Sequence, residues 1–217
     1  MKPAKLPVVI LISGRGSNLQ AIIEAARHNE LDIDIRAVIS NRPDVAGLER
    51  AREAGIEAIT VDHKTFESRD AFDIALQQCI NQYEPQLLIL AGFMRVLGND
   101  FVDHYAGRML NIHPSLLPKY PGLNTHQQAI DNHDSTHGAS VHFVTTELDG
   151  GPVVIQVEVT VLETDNAQTL ATRVLQQEHR IFCEAIQWFA EGRLKLVDDK
   201  VYLDNERLLQ PRMIKSN

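Results

Sequence analysis

The chain has 217 residues, of which 44% are hydrophobic and 23% charged, and its formal net charge is −8 at pH 7. That is enough chain for a sizeable core and too apolar for disorder. The acidic balance excludes a sequence-independent grip on nucleic acid or an anionic membrane, while permitting a local basic pocket for a small anion.

The start, Met1-Lys2-Pro3-Ala4-Lys5, is too short for a secretory leader. No apolar run approaches the ~20 residues of a membrane helix. Cys79 and Cys183 therefore read as reduced thiols of a cytoplasmic protein.

Val8 to Ile12 is a continuous apolar run, as a strand buried on both faces would be. Ser13-Gly14-Arg15-Gly16-Ser17-Asn18 follows, and then a helical pattern from Leu19 to His28. Strand, glycine loop and helix make an α/β phosphate site, with free N–H groups at the helix start. Gly16, Ser17 and Asn18 are the candidate phosphate ligands. Leu19 stands where a dinucleotide fingerprint needs its third glycine, and the second strand, Ile35 to Ile39, ends in Ser40-Asn41-Arg42 without a ribose-binding acid. A single terminal phosphate fits better than a dinucleotide. A plain glycine turn is the structural alternative, and Arg42 leaves a nicotinamide 2′-phosphate open.

Asp44 is expected to cap a helix through Ala54, ended by Gly55. Ala58 to Val61 is the third strand, and Ser68 caps a helix from Arg69 to Tyr83. Leu87 to Leu90 is the fourth strand, leading into the apolar loop Ala91-Gly92-Phe93-Met94-Arg95-Val96-Leu97. Either that loop packs on the core or it walls an aromatic ligand. A short helix, Asp100 to Ala106, precedes a fifth strand ending at His113.

Beyond it a short helix runs from Thr125 or His126 to Asn132. Ser140–Val144 and Val153–Val161 read as a hairpin whose connection holds Asp149-Gly150-Gly151-Pro152. A long helix spans Asn166 to Glu191. Leu194–Val197 and Lys200–Leu203 form a terminal hairpin about Asp198-Asp199, and Gln210 to Asn217 is expected to fray. The pattern predicts an α/β fold, with a mainly parallel twisted sheet, a Rossmann-like N-terminal half, and a C-terminal part with antiparallel strands and a long helix. Ligands of such sheets lie at the carboxyl ends of strands, where the glycine loop, the Gly92–Leu97 loop and His113 fall.

The chemistry centres on Asn111-Ile112-His113-Pro114-Ser115-Leu116-Leu117-Pro118. Residues i and i+2 of a strand share a face, so Asn111 and His113 aim at one spot, and Pro114 stops the ladder there. An amide donor beside an imidazole suits an acyl transfer with an oxyanionic intermediate. Asp149 either braces its own turn or pairs with His113, in which case it should raise the imidazole pKa. Glu178 falls in the apolar Leu170, Val174, Phe182 row and needs a cation or donors. That requirement is met by an internal pair or by a substrate amine. His133 and His137 are four apart with His126 and His142 nearby, but they lie about a turn at Asp134-Ser135-Thr136 and Gly138, and no metal is expected.

Asn111 to Pro118, with Lys119-Tyr120-Pro121-Gly122 after it, resembles the signature of the folate-dependent formyltransferases, over roughly residues 8–197. The resemblance implies one formyltransferase domain spanning 1–217. A phosphate-binding half would cover about 8–113, a folate and catalytic half about 114–197, and a tail 198–217. It implies the purine-pathway branch, which moves a formyl group from 10-formyltetrahydrofolate, a co-substrate, to the primary amine of a phosphoribosylglycinamide. Asn111, His113 and Asp149 would be catalytic. Arg69, the Met94, Arg95, Val96 and Leu97 main chain, Asn111, and the Thr145, Thr146, Glu147, Leu148, Asp149 loop would meet the folate. Leu175, Gln176, Gln177 and Glu178 would meet the ribonucleotide. The implied partners are small molecules, with no nucleic acid and no membrane, in a monomer or homodimer. Asn124 departs from the family, where His is frequent.

Overall fold

The computed structural model describes residues 4–215; the first three residues of the N-terminal lead-in and the last two of the tail lie outside the described residues. The chain divides into two compact units, Met1–Asn111 and Ile112–Asn217.

In the first unit β1 (Leu6–Ile12), α1 (Ser17–Arg27), β2 (Ile33–Ser40), α2 (Ala46–Glu53), β3 (Glu57–Thr60), α3 (Arg69–Asn81), β4 (Leu87–Leu90) and α4 (Asn99–His104) lead into β5 (Met109–His113). The strands lie in the order β3-β2-β1-β4-β5, and each neighbouring pair is parallel. Strand and helix alternate because an all-parallel sheet needs a crossover between neighbours and both faces covered. Val8 to Ile12 are all 0% exposed, as that doubly covered position demands. Leu19, Ile22 and Ile23 of α1 and Phe72, Leu76 and Ile80 of α3 are large apolar side chains buried on those helices. Ser68 caps α3 by accepting from the Ala71 N–H at 3.1 Å.

Asp44 does not cap α2. Its φ is 53°, and the N-cap is Val45, with no side-chain cap bond. The left-handed turn at Asp44 leaves its carboxylate without the extended backbone that an N-cap needs.

In the second unit α5 (Thr125–Asp131) is followed by β6 (Thr136–Phe143), β7 (Val153–Thr160) and α6 (Ala167–Ala190). β6 and β7 pair antiparallel, as the hairpin expectation required. β6 begins at Thr136, four residues before the expected start, so the residues expected to turn enter a strand. Gly138 makes this possible, because a Cβ there would sit 1.8 Å from the Val157 carbonyl oxygen. The glycine marks close backbone approach rather than a bend.

Asn166 caps α6 through the Gln168 and Thr169 N–H groups. Leu170, Val174, Ile181, Phe182, Ala185, Ile186 and Trp188 are its buried apolar positions, and the helix lies on β6 and β7.

β8 (Leu194–Val197), β9 (Lys200–Leu203) and β10 (Glu206–Arg207) form a small antiparallel sheet. Asp198 and Asp199, at φ 48° and 55°, supply the two left-handed residues of a tight hairpin. The tail does not fray as expected. β11 (Arg212–Lys215) adds to β7 in parallel, with Arg212 opposite Ile155. An unfilled strand edge supplied the backbone partners that local sequence did not announce.

Candidate active site

The glycine loop leaves β1 and enters α1 through Gly16, whose φ of 71° makes it a left-handed N-cap. Gly16 packs on Gly47 at the start of α2, so closely that a Cβ on Gly16 would lie 2.8 Å from the Gly47 Cα. Two struts from α2 hold the loop. The Gly47 N–H donates to the Gly14 carbonyl at 3.1 Å, and Arg50 Nε donates to the Arg15 carbonyl at 3.0 Å. Ser17 is half-buried and Asn18 buried, while Leu19, at the third-glycine position, is 0% exposed and belongs to the core.

Asn41 occupies the end of β2, where a dinucleotide fold reads a ribose. Here it is 3% exposed, and Ser13 Oγ donates to its Oδ1 at 2.6 Å. That position is committed internally, which argues against a nicotinamide ribose there.

The loop after β4 alternates. Ala91, Phe93 and Leu97 are buried, whereas Met94 is 66% and Val96 53% exposed. The Arg95 guanidinium stacks over the Phe72 ring at 4.8 Å. Arg69 is an exposed side chain whose Nε lies 4.0 Å from Asp70.

In the second unit His113 is 5% exposed and both ring nitrogens face oxygens. Nε2 donates to the Tyr120 carbonyl at 2.8 Å, and Nδ1 lies 3.4 Å from Asp149 Oδ2. The sequence separates this pair by 36 positions. The Asp149 carboxylate also accepts from the Gly122 N–H at 2.8 Å and lies 3.7 Å from His142 Nε2. Burial pushes the Asp149 carboxyl up. His142, the Gly122 N–H and the His113 ring more than offset that and hold it below the usual carboxylate range.

The expected rise in the His113 pKa is overturned. Burial pushes the imidazole below its usual range, outweighing the upward pull of the Tyr120 carbonyl and of Asp149. A cation in a site this enclosed loses more hydration than one carboxylate at 3.4 Å returns. The ring is therefore neutral at neutral pH.

The octet is fixed from behind. Ser140 Oγ accepts from the Leu117 N–H at 3.0 Å and donates to the Ser115 carbonyl at 2.6 Å. Gln156 Nε2 donates to the Leu117 carbonyl at 2.8 Å, and Thr125 Oγ1 to the Pro114 carbonyl at 2.6 Å.

Asn111 is half-buried on β5, one residue removed from Ile112 and two from His113. The Thr145–Asp149 connection runs from half-buried Thr145 through exposed Thr146, Glu147 and Leu148 to Asp149. On α6, Glu178 is 7% exposed, Gln176 is exposed, and Leu175 and Gln177 are half-buried.

The family model described as formyl transferase matches residues 6–186. The chain belongs to that family.

The formyltransferase is 55% identical over 201 residues to phosphoribosylglycinamide formyltransferase of Escherichia coli K12, covering 93% of this chain and 95% of that one. A solved phosphoribosylglycinamide formyltransferase from Coxiella burnetii superposes with a TM-score of 0.93 at 50% identity, over 97% of this chain and 99% of that one. The human trifunctional purine biosynthetic protein adenosine-3 is 43% identical over 192 residues, which are 88% of this chain and 19% of that protein.

The residues that brace the glycine loop and the His113–Asp149 pair are not all distinguished by the sequence. Gly47 left a usable signal, since glycine in a first helical turn sacrifices stability unless close packing requires it. Tyr120 and Gly122 stand in the motif that carries the resemblance, but their main-chain roles leave no side-chain signal of their own. Among the described residues no cluster of three or more His, Cys, Asp or Glu is arranged for a metal. His126 and His137 instead hydrogen-bond each other, Nδ1 to Nε2, at 3.1 Å.

That histidine pair carries a pH prediction. His137 is 1% exposed, and burial, assisted by His126, pushes its pKa down to about 4. Burial lowers His126 as well. An unfolded histidine titrates near ~6.5, so between that value and about 4 the unfolded chain binds the extra proton. Stability is full above the unfolded value and is lost as pH falls, by roughly 3 kcal/mol for His137 alone. Urea unfolding at pH 7.5 and 4.5 should show a smaller acid loss in His137→Gln than in wild type. Identical losses would remove the pair from the acid response.

Proposed function

We propose that this chain transfers the formyl group of 10-formyltetrahydrofolate to the primary amine of phosphoribosylglycinamide, in purine biosynthesis. The observation that carries the reading is the 55% identity to the Escherichia coli enzyme over 93% of the chain. The buried His113–Asp149 pair supports it by supplying an acid–base group with its own counter-charge.

An α-amino group has a pKa of ~8, so a useful fraction of the acceptor is neutral at physiological pH and no strong base is required. Asn111 donates its amide to the oxyanion that forms when the amine attacks the formyl carbon. His113, neutral at rest, takes the proton released by the amine and passes it to the departing folate nitrogen. The passing imidazolium is what Asp149 stabilises. Nε2 carries the proton given to the Tyr120 carbonyl at rest, so the ring takes the amine proton only in the tautomer that holds its own proton on Nδ1, toward Asp149, with Nε2 released from that carbonyl. An oxyanion donor contributes about 10²–10³ in rate and a positioned acid–base group ~10²–10⁴.

Gly16, Ser17 and Asn18 take the ribonucleotide phosphate on the α1 N-terminus, and Leu175 to Glu178 take its glycinamide end. The folate lies on the main chain of Met94, Arg95, Val96 and Leu97 and on the Thr145–Asp149 connection, with Arg69 toward its carboxylates. The exposed Met94 and Val96 side chains suit this role, because they offer apolar surface beside that main chain. The partners are these two small molecules, in the cytoplasm, with no nucleic acid, membrane or resident metal, and the protein is a monomer or homodimer. No helix among the described residues is long and apolar enough to cross a membrane.

The decisive assay supplies both substrates, with water or ammonia in place of the ribonucleotide as controls. Formyl transfer that depends on phosphoribosylglycinamide is the expected result. Equal folate turnover without the ribonucleotide would replace the reading with a hydrolase.

A further inference from the structure

We infer that Ser13 is a positioning residue whose hydroxyl sets the main chain at Met94, and with it the folate-facing edge of the Gly92–Leu97 loop. The inference rests on the assignment of that loop to the folate.

Ser13 is 2% exposed and stands where β1 gives way to the glycine loop. Its N–H donates to the Gly92 carbonyl at 3.1 Å. Its Oγ accepts from the Met94 N–H at 2.8 Å and donates to Asn41 Oδ1 at 2.6 Å. The hydroxyl thus meets one donor and one acceptor, which restricts its rotation. Asn41 is itself held, since its carbonyl accepts from the His63 N–H at 3.2 Å and lies 2.7 Å from His63 Nδ1. The ends of β1 and β2 and the loop after β4 are therefore joined through one oxygen atom.

The loop is anchored at both ends without that oxygen. At the start the Ala91 N–H donates to the Leu11 carbonyl at 2.9 Å, and at the finish the Gly98 N–H donates to Asp73 Oδ2 at 2.7 Å. Between these anchors the Met94–Ser13 bond fixes the plane of the Phe93–Met94 peptide. Main-chain recognition of a flat heterocycle needs peptide groups held to within fractions of an ångström. The phosphate loop is braced differently, by the Gly47 N–H and by Arg50. Loss of the Ser13 hydroxyl should therefore weaken folate binding selectively.

The test is Ser13→Ala, studied by steady-state kinetics with both substrates and by amide hydrogen exchange with 10-formyltetrahydrofolate alone. Folate KM should rise about 5- to 10-fold, the range expected for one lost hydrogen bond. Ribonucleotide KM and kcat should stay within about 2-fold, since Gly14 and Arg15 of the phosphate loop are held by Gly47 and Arg50 without this hydroxyl, and the bond does not involve His113. Folate-induced protection of the Phe93–Leu97 amides should fall in the variant. A folate KM within about 2-fold of wild type, or equal rises in both KM values, would overturn the role of Ser13. If folate fails to protect those amides in wild type, the loop assignment itself is wrong, which is a separate failure.

Asn41→Ala reads the same network from its other end should Ser13→Ala not fold. It releases the hydroxyl's acceptor and should raise folate KM in the same selective way. An unselective effect there would count equally against the inference.

Discussion

His113→Ala is expected to lower turnover by at least roughly 10²-fold, with both ligands still bound. The ring can carry a proton both ways, because burial favours its neutral form while Asp149 waits 3.4 Å away for the cation. Truncation removes that shuttle and leaves the carboxylate to the Gly122 N–H and His142, so some loss of stability accompanies the loss of rate. Turnover measured at saturating substrate, on protein with a native near-UV spectrum, separates the two. Near-normal turnover would take His113 out of the chemistry.

The same geometry fixes a companion result for Asp149→Asn. Without the carboxylate the upward pull on His113 disappears, so its pKa falls further. The acidic limb of the rate profile, which reports imidazole protonation in the resting enzyme, should move to lower pH. The rate should drop as well, since the transient imidazolium has lost its counter-charge. An unchanged limb and rate would exclude Asp149 from the centre.

Gly16→Val is expected to raise the ribonucleotide KM at least ~10-fold while changing folate binding little. A left-handed backbone is strained for any residue with a Cβ, by about 1–2 kcal/mol, and a β-branched residue is worse. At φ 71° valine carries that strain, and its Cβ would lie 2.8 Å from the Gly47 Cα, a backbone atom that cannot rotate away. Relief requires the loop to move off α2, which tilts the N–H groups at the start of α1. Titration of each ligand separately is the check. Matching losses for both ligands would show that the loop serves the fold rather than the phosphate.

Much of this was legible along the chain. Val8–Ile12 and Leu87–Leu90 announced buried parallel strands because doubly covered strands cannot alternate. The row Leu170, Val174, Phe182 announced α6, and Asn166, expected as its first residue, is its N-cap. What misled was local chemistry used non-locally. Gly138 looked like a turn and is a point of strand contact; Asp44 looked like a cap and is a left-handed turn; the tail looked loose and closes an edge.

The order of residues alone determined the alternation of strand and helix, the glycine entry to α1, and the pairing of Asn111 with His113 on one strand face. Each of these depends on neighbours within a few positions, where steric limits and periodicity act directly. Only the tertiary structure decided that His113 meets Asp149, that Ser13 joins Asn41 to Met94, and that the imidazole rests uncharged. Those outcomes depend on which distant atoms exclude water from a group and which replace the lost hydration, and that balance exists only once the chain has closed around it.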